Sequence, residues 1–172
     1  MQNFFSHIVK IEDLSQNLHT YNIKATKNQL KQLAALLKVE AVQSFDASFA
    51  LKLSRKNHRL DIEGVVDSTL TLQSVISLEF FEKTYHAPFK YHFDTALTYQ
   101  GLKQLDFSIG DEAPDIIENG QIDLVQIAVE QLSLVMEDYP KMEGEEFCFT
   151  SEFDAKTTKK AHPFAMLEKL KK

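Results

Sequence analysis

The chain has 172 residues, of which 44% are hydrophobic and 26% charged, and no apolar run approaches the roughly 20 residues that span a bilayer. The one cysteine, Cys148, excludes an internal disulfide and a cysteine-based zinc site, and it favours a reducing cytoplasm. The net charge of −6 excludes a uniformly basic surface for nucleic acid. The length and composition predict a globular protein with its own core, and the lack of a long apolar run predicts no membrane contact.

The first 40 residues predict one short strand and one helix. The strand lies within 5–11. The helix covers 26–39, and Thr26 stands three residues before Gln29, which is the spacing of a capping box. Apolar residues recur at helical spacing and predict a buried stripe formed by Leu30, Leu33, Ala34 and Leu37.

After the helix the hydrophobic period changes to two, which predicts strands with one buried face. Gly64 falls on that face, and we expect a bulge or a bend there. Pro88 predicts an edge position or a strand start. Short connections favour an antiparallel meander. The predicted strands cover 41–53, 60–72, 70–81 and 85–97, with a turn over 54–57.

Two segments of opposite charge follow the predicted strands. Residues 100–122 predict a surface loop with a short strand near 105–109, and nine acids but no Lys or Arg lie between Lys103 and Lys141. The last 17 residues carry six lysines. Charge blocks are usually solvated, although a separate basic end can contact a phosphate backbone even in an acidic protein.

A second helix is predicted over 122–136. Asp123 can cap its first turn, with Gln126 at the capping-box position, and Pro140 follows its end. The residues expected on its buried face are Leu124, Ile127, Ala128, Leu132 and Val135.

These elements predict a single α+β domain over 1–172. Its sheet is expected to be antiparallel and curved, barrel-like if its edges meet, and packed by two main helices, with a short helix at the C-terminal end. Within the domain, 1–40 supplies the N-terminal strand and helix, and 41–140 supplies the sheet and the second helix. Residues 141–172 are expected to form a mobile polar segment and a basic tail.

The sequence shows no pattern typical of an active site. Ser74 and Ser77 lie three apart in the third predicted strand, so their hydroxyls should point to opposite faces and no single base could serve both. His86 and His92 share a strand face but lie roughly 20 Å apart, too far for one metal ion. The five glycines include no Gly-x-Gly motif. We therefore predict a protein that is not an enzyme and that holds neither metal nor cofactor.

The remaining class of function is recognition. Alternating aromatic residues on the fourth predicted strand could stack on single-stranded RNA, although such a pattern is more typical of a core: Tyr85, Phe89, Tyr91 and Phe93. The basic tail mixes lysines with apolar residues, as in amphipathic helices that dock on a partner or contact phosphates. The candidate contacts in the tail are Lys159, Lys160, Lys169, Lys171 and Lys172.

Several short motifs are spread between residue 63 and the C-terminal end. They are Glu-Gly-Val-Val at 63–66, Leu-Glu at 78–79, Ile-Asp-Leu at 122–124, Glu-Gln-Leu-Ser-Leu at 130–134, Tyr-Pro at 139–140 and Pro-Phe-Ala-Met-Leu at 163–167. In this order, over about residues 40–172, they resemble the YceD family, the large ribosomal RNA subunit accumulation proteins of bacteria and plastids. Many members carry Cys-x-x-Cys-Leu-Glu where this chain has Ser-Val-Ile-Ser-Leu-Glu, so the chain resembles a metal-free variant.

The resemblance implies a small, cytoplasmic, non-enzymatic protein that supports the accumulation of large-subunit ribosomal RNA by binding RNA or a ribosome-assembly protein. Glu130 and Gln131 are the stronger candidate contacts, because polar residues late in a capped helix have no obvious internal task. Asp123 and Glu79 are further candidates. The positions carried over from the family motifs alone are Ser74, Ser77, Leu78, Leu124 and Pro140.

Two alternative functions stay open at this point. A protein adaptor would use the acidic segment 106–118 on a basic protein. A small-ligand or hydrolytic site would require a deep, polar-lined cavity inside the curved sheet. A separate question is whether Ser74 and Ser77 approach Cys148, which would mark a lost metal or redox site; we expect small residues in a packed strand instead.

Overall fold

A computed structural model describes residues 5–102 and 115–147, and the chain divides into two compact units, Met1–Met142 and Glu143–Lys172. Every helix and strand named below belongs to the first unit. Several predictions fall outside the described residues: the strand near 105–109, most of the acidic loop, Cys148, the C-terminal helix, and Lys159, Lys160, Lys169, Lys171 and Lys172.

The described residues form seven strands and three α-helices. The strands are β1 (Ile8–Lys10), β2 (Leu18–Lys24), β3 (Ala41–Ser54), β4 (Arg59–Gln73), β5 (Phe80–Asp94), β6 (Asp115–Ile116) and β7 (Gln121–Asp123). The helices are α1 (Lys27–Leu37), α2 (Tyr99–Leu102) and α3 (Leu124–Val135).

Five strands form one sheet in the order β2-β3-β4-β5-β6, and β1 pairs with β7 in a separate ribbon. The neighbours are antiparallel except β5 and β6, which are parallel over two residues. This confirms the α+β class and corrects the wholly antiparallel prediction. The sheet is open among the described strands, because β2 and β6 lie at opposite ends of the order and do not pair.

The alternating sequence pattern places one face of β3, β4 and β5 in the core. Along β4, for example, Leu60, Ile62 and Val66 are fully buried, while Glu63 and Asp67 point to solvent. The helix α1 packs on β3, and α3 packs on β4 and β5. Buried residues of both helices therefore join the same core cluster as the inner face of the sheet.

The predicted helices form with Thr26 and Asp123 at their starts, while the side chain of Gln126, predicted at the capping-box position, donates to Glu130 at 3.0 Å. The Thr26 backbone N–H and hydroxyl both donate to Gln29 Oε1 at 2.8 Å, at the start of α1. Asp123 Oδ1 accepts the N–H of Val125 at 3.0 Å, at the start of α3. The buried face predicted for α3 is right except at Val135, which is the last helical residue and is 42% exposed.

Of the bulge or bend predicted at Gly64, the bulge is not present, and the bend stays a prediction. Gly64 pairs in register with Phe49 and Phe89, and the register shift of β3 lies between Val42 and Ser44 instead. The reason for the glycine is space: a Cβ there would lie 2.5 Å from Phe89 Cζ. The missing side chain makes room for an aromatic ring.

Of the two positions predicted from Pro88, the strand start is wrong, because Pro88 lies well inside β5. β6 follows β5 in the sheet order, so β5 resembles an edge only along part of its length. Pro88 pairs with Val65 of β4 on one side, and on the other side β5 is paired, among the described strands, only at Phe93 and Asp94. Proline has no N–H for a second neighbour, so it is compatible with this open side.

The predicted third strand, 70–81, is wrong. Residues 74–79 form the turn between β4 and β5, closed by Ser74 N–H donating to the Glu79 carbonyl at 2.9 Å. The alternation of faces therefore does not apply, and the two serines do not lie on opposite faces of one strand. Ser74 is fully buried at the base of the turn, while Ser77 is exposed on it.

Candidate partner-binding groove

A groove of about 960 Å³ lies between the C-terminal end of α1 and α3, and we call it the α1–α3 groove. Leu36 and Leu134 stand on its two sides, one on each helix, and they are 47% and 75% exposed. Its apolar lining includes Phe5, Leu37, Tyr91, Val125, Val129 and Met136.

The N-terminal segment fixes the first turn of α3 beside this groove. Asp123 Oδ1 accepts the backbone N–H of His7 at 2.9 Å as well as that of Val125, and the His7 carbonyl accepts the N–H of Leu124 at 3.0 Å. Phe5 is buried and meets Phe45 edge-on at 6.1 Å. Asp123 is therefore a structural cap whose carboxylate also lies on the wall of the groove.

Three side-chain contacts hold α3 and the segment just beyond it against β5. Gln131 Nε2 donates to Tyr91 Oη at 2.5 Å. Tyr85 Oη donates to Glu137 Oε2 at 2.7 Å, and Lys83 forms an ion pair with the other oxygen of Glu137. The helix is thereby tied to the strand near its middle and just beyond its end.

The pKa values around these contacts follow their surroundings. Burial, together with the nearby Glu137 carboxylate, raises the pKa of Tyr85. The hydrogen bonds from Lys83 and then Tyr85 hold the pKa of Glu137 below its usual value. Burial and then the charge of Glu130 raise the pKa of Tyr91.

The charged residues that line the groove are acidic. Among its described lining residues, four are acids and none is Lys or Arg: Asp123, Glu130, Glu137 and Asp138. Lys83 already pairs with Glu137, whereas Glu130 accepts its hydrogen bond from the neutral amide of Gln126 at 3.0 Å. Glu130 and Asp138 are both exposed. They can therefore offer negative charge to a partner at the edge of an apolar surface.

The structure places the predicted contact residues of α3 in different roles. Glu130 and Asp123 line the groove. Gln131 has an internal partner in Tyr91, so the reason given for predicting it as a contact does not hold. Leu124 is fully buried in the core. Binding by Glu130, Gln131 and Asp123 stays a prediction.

The other predicted positions gather at the β4–β5 turn. Ser74 Oγ accepts the N–H groups of Ile76 at 3.1 Å and Ser77 at 3.3 Å, which satisfies two backbone donors inside the turn. Leu78 follows with φ +63°, a left-handed conformation unusual for leucine. Glu79 is exposed and closes the turn through its backbone carbonyl.

This turn is joined to the segment after α3. The N–H of Val75 donates to the carbonyl of Pro140 at 2.9 Å, so the motif at 78–79 and the motif at 139–140 lie near each other in space. The contact is made by backbone atoms. Pro140 therefore has a structural role that its backbone carbonyl fills and that requires no function of its side chain.

The histidines of β5 lie on the outer face of the sheet, each beside an aspartate. His86 Nδ1 lies 2.7 Å from Asp67 Oδ1, and His92 Nδ1 lies 2.5 Å from Asp61 Oδ1. Within 5–102 and 115–147, no group of three or more His, Cys, Asp and Glu side chains could hold a metal ion. The aromatic residues predicted as a stacking platform pack on the opposite face, against the core: Tyr85, Phe89, Tyr91 and Phe93.

The sequence did not predict the groove. Its walls come from residues far apart in the chain, and Leu36 and Leu134, for example, belong to α1 and α3. One local signal was present: Leu134 is a large apolar residue outside the predicted buried stripe of α3. Such a residue marks a helix face that something else can cover.

Comparison with protein-family models, with curated proteins and with solved structures gives no match. In the described part of the chain, no helix is long and apolar enough to cross a membrane. The fold and the groove define the chain as an α+β protein with a mixed five-stranded sheet. An apolar groove with acidic residues at its edge lies between two of its helices.

Proposed function

We propose that this chain is a non-enzymatic cytoplasmic factor that supports the accumulation of large-subunit ribosomal RNA by binding a protein of ribosome assembly. The observation that carries the binding role is the α1–α3 groove, where exposed leucines and carboxylates lie side by side. The resemblance of the motifs over 63–167 to the YceD family supports the ribosomal setting.

The chemistry of the groove favours binding over catalysis. Two of its four carboxylates are engaged in holding the fold: Glu137 accepts a hydrogen bond from Tyr85, and Asp123 caps α3. The part of the groove that faces solvent is apolar with a charged edge, which is the composition typical of a recognition surface.

The charge of the groove favours a protein over RNA as its direct partner. Phosphates would be repelled by Glu130 and Asp138, whereas basic ribosomal proteins would be attracted. RNA binding through the lysines of 156–172 is the competing mode. In that mode, nuclease and raised salt should release the chain from pre-ribosomal particles.

Removing the gene from its host tests the cellular role. We expect the ratio of large- to small-subunit ribosomal RNA to fall, and expression of the native chain to restore it. An unchanged ratio in the deletion strain, under growth conditions in which the chain is normally made, would overturn the proposal.

Sedimentation of pre-ribosomal particles tests the mode of binding. The native chain should co-sediment with these particles, and deletion of 156–172 should leave most of that association intact if a protein partner holds the groove. Loss of association on that deletion, together with release by nuclease and by salt, would assign the contact to RNA instead.

A further inference from the structure

We infer that the α1–α3 groove binds a basic amphipathic helix of a partner protein. Leucine or phenylalanine side chains of that helix would pack over Leu36 and Leu134, and its lysine or arginine side chains would face Glu130 and Asp138. The inference rests on the proposed function for the claim that the partner belongs to ribosome assembly. The claim that the partner is a basic amphipathic helix rests on the groove alone.

The apolar part of the groove calls for an apolar occupant. Leu36 on α1 and Leu134 on α3 face solvent on either side of a lining built from core-facing residues such as Val129 and Met136. Large aliphatic side chains that flank a concave apolar surface are typical of protein-binding sites. Covering them removes apolar area from water, which is the main driving force for association.

The groove's position between two helices favours a helix as the occupant. Side chains along one face of a third helix, at spacings of three and four residues, fit into the groove between two others. This mode is shared by many grooves that receive an amphipathic helix and bury its anchors. An extended peptide would need a free strand edge, and the groove is bordered by α1 and α3 instead.

The charge of the groove specifies a basic occupant. The described lining contains acids and no Lys or Arg, and the nearby Lys83 already forms an ion pair with Glu137. Glu130 and Asp138 are exposed at the edge of the apolar lining, so lysines that flank the anchors would meet carboxylates. An acidic helix would be repelled at the same positions.

A synthetic peptide is the probe for this inference. It has about 18 residues, five helical turns, with leucines at helical spacing on one face and lysines on the other. Fluorescence anisotropy with the full-length chain should show saturable binding that weakens as salt is raised. Two peptides serve as controls: one of the same composition without an apolar face, and one with glutamate in place of lysine.

Single substitutions separate the apolar from the charged contribution. Leu134→Asp should weaken peptide binding about tenfold, because an anchor contact is lost. Its control is Leu18→Asp on β2, at a side chain that is 63% exposed away from the groove lining. The control should leave binding unchanged.

The double variant Glu130→Gln/Asp138→Asn should weaken binding about fivefold at low salt and little at high salt. Its control, Glu82→Gln/Asp13→Asn, removes two exposed carboxylates outside the groove lining. Equal affinities of the two double variants would overturn the charged part of the inference.

The location of binding can be read from backbone amide chemical shifts. Peptide addition should move the signals of 123–138 and of 36–37, and circular dichroism of each variant checks that the fold is kept. No binding of the basic amphipathic peptide, or binding that maps to another face, overturns the inference.

The outcome is separable from that of the proposed function. If the peptide fails while gene deletion still lowers large-subunit ribosomal RNA, the groove assignment falls and the proposed function stands. If the peptide binds as expected while the deletion has no effect on the RNA, the groove assignment stands and the proposed function falls.

Discussion

The hydroxyl of Tyr85 donates a 2.7 Å hydrogen bond to Glu137, and so ties the buried face of β5 to the residue two positions beyond α3. Lys83, two residues before Tyr85 on the same strand face, holds the other carboxylate oxygen. This contact fixes where α3 ends against the sheet. It thereby fixes how Leu134, three residues earlier in the chain, is presented at the groove.

Replacing Tyr85 by phenylalanine should destabilise the chain by about 1–2 kcal/mol. The variant Tyr85→Phe keeps the buried ring and removes one charge-assisted hydrogen bond. Urea unfolding followed by circular dichroism measures the difference. The control Tyr139→Phe, at a tyrosine that is 78% exposed, should stay within about 0.5 kcal/mol of the native chain. Equal stability of Tyr85→Phe and the native chain would contradict the role given to this contact.

Asp61 should make the stability depend on pH on the acid side. Burial raises the pKa of its carboxyl, but hydrogen bonds and charges from Arg59 and His92 outweigh burial and lower the pKa overall. A group whose pKa is lowered in the folded state stabilises fully above its unfolded pKa of about 4, and that stabilisation disappears as the pH falls through the folded pKa.

The variant Asp61→Asn should therefore be less stable than the native chain at pH 7, by about 0.5–1 kcal/mol, and the difference should shrink below about pH 4. Unfolding free energies in urea between those conditions provide the test, with Asp13→Asn as a control on an exposed acid. A difference that grows as the pH falls would have the wrong sign for this account.

The two serines of the β4–β5 turn should respond differently to alanine. Ser74→Ala leaves the part-buried hydrogen bonds to the N–H groups of Ile76 and Ser77 without their acceptor and should cost about 1–2 kcal/mol. Ser77→Ala removes only a 3.4 Å contact to the N–H of Glu79 on an exposed part of the turn, and should cost less than about 0.5 kcal/mol. Equal costs in thermal or urea unfolding would refute the turn geometry.

A side chain at Gly64 should be strongly destabilising. In Gly64→Ala the new methyl group would lie 2.5 Å from Phe89 Cζ and 2.6 Å from the Ser48 carbonyl oxygen, and the latter is backbone and cannot rotate away. We expect a loss of about 3 kcal/mol in unfolding free energy. Gly120→Ala meets no atom within 4 Å but has φ +65°, so it should cost only about 1 kcal/mol. A smaller loss at Gly64 than at Gly120 would exclude this explanation.

Local signals were enough to predict the elements that local chemistry builds. The capping pairs at Thr26 and Asp123 place α1 and α3, and the alternation of β4 places its buried residues. The turn at 74–79 was misread because Val75, Ile76 and Leu78 continue an apolar run. Two hydrogen bonds make this segment a turn: the N–H of Ile76 donates to Ser74 Oγ, and the N–H of Val75 donates to the Pro140 carbonyl. The bond to Pro140 joins residues 65 positions apart.

The groove was beyond prediction for the same physical reason. Gln131 looked free for a partner, but its amide is used by Tyr91, 40 positions earlier in the chain. Conversely, Glu130 and Asp138 line the same groove only because α3 is fixed against β5 beside the end of α1. Side chains that meet across such distances carry no common pattern in one sequence.

The most direct measurement is the ratio of large- to small-subunit ribosomal RNA in host cells whose only copy of the chain carries Leu134→Asp. The account predicts a ratio lowered towards that of the deletion strain, at normal levels of folded protein, while Leu18→Asp keeps the native ratio. A native ratio with Leu134→Asp would contradict the claim that this groove carries the function.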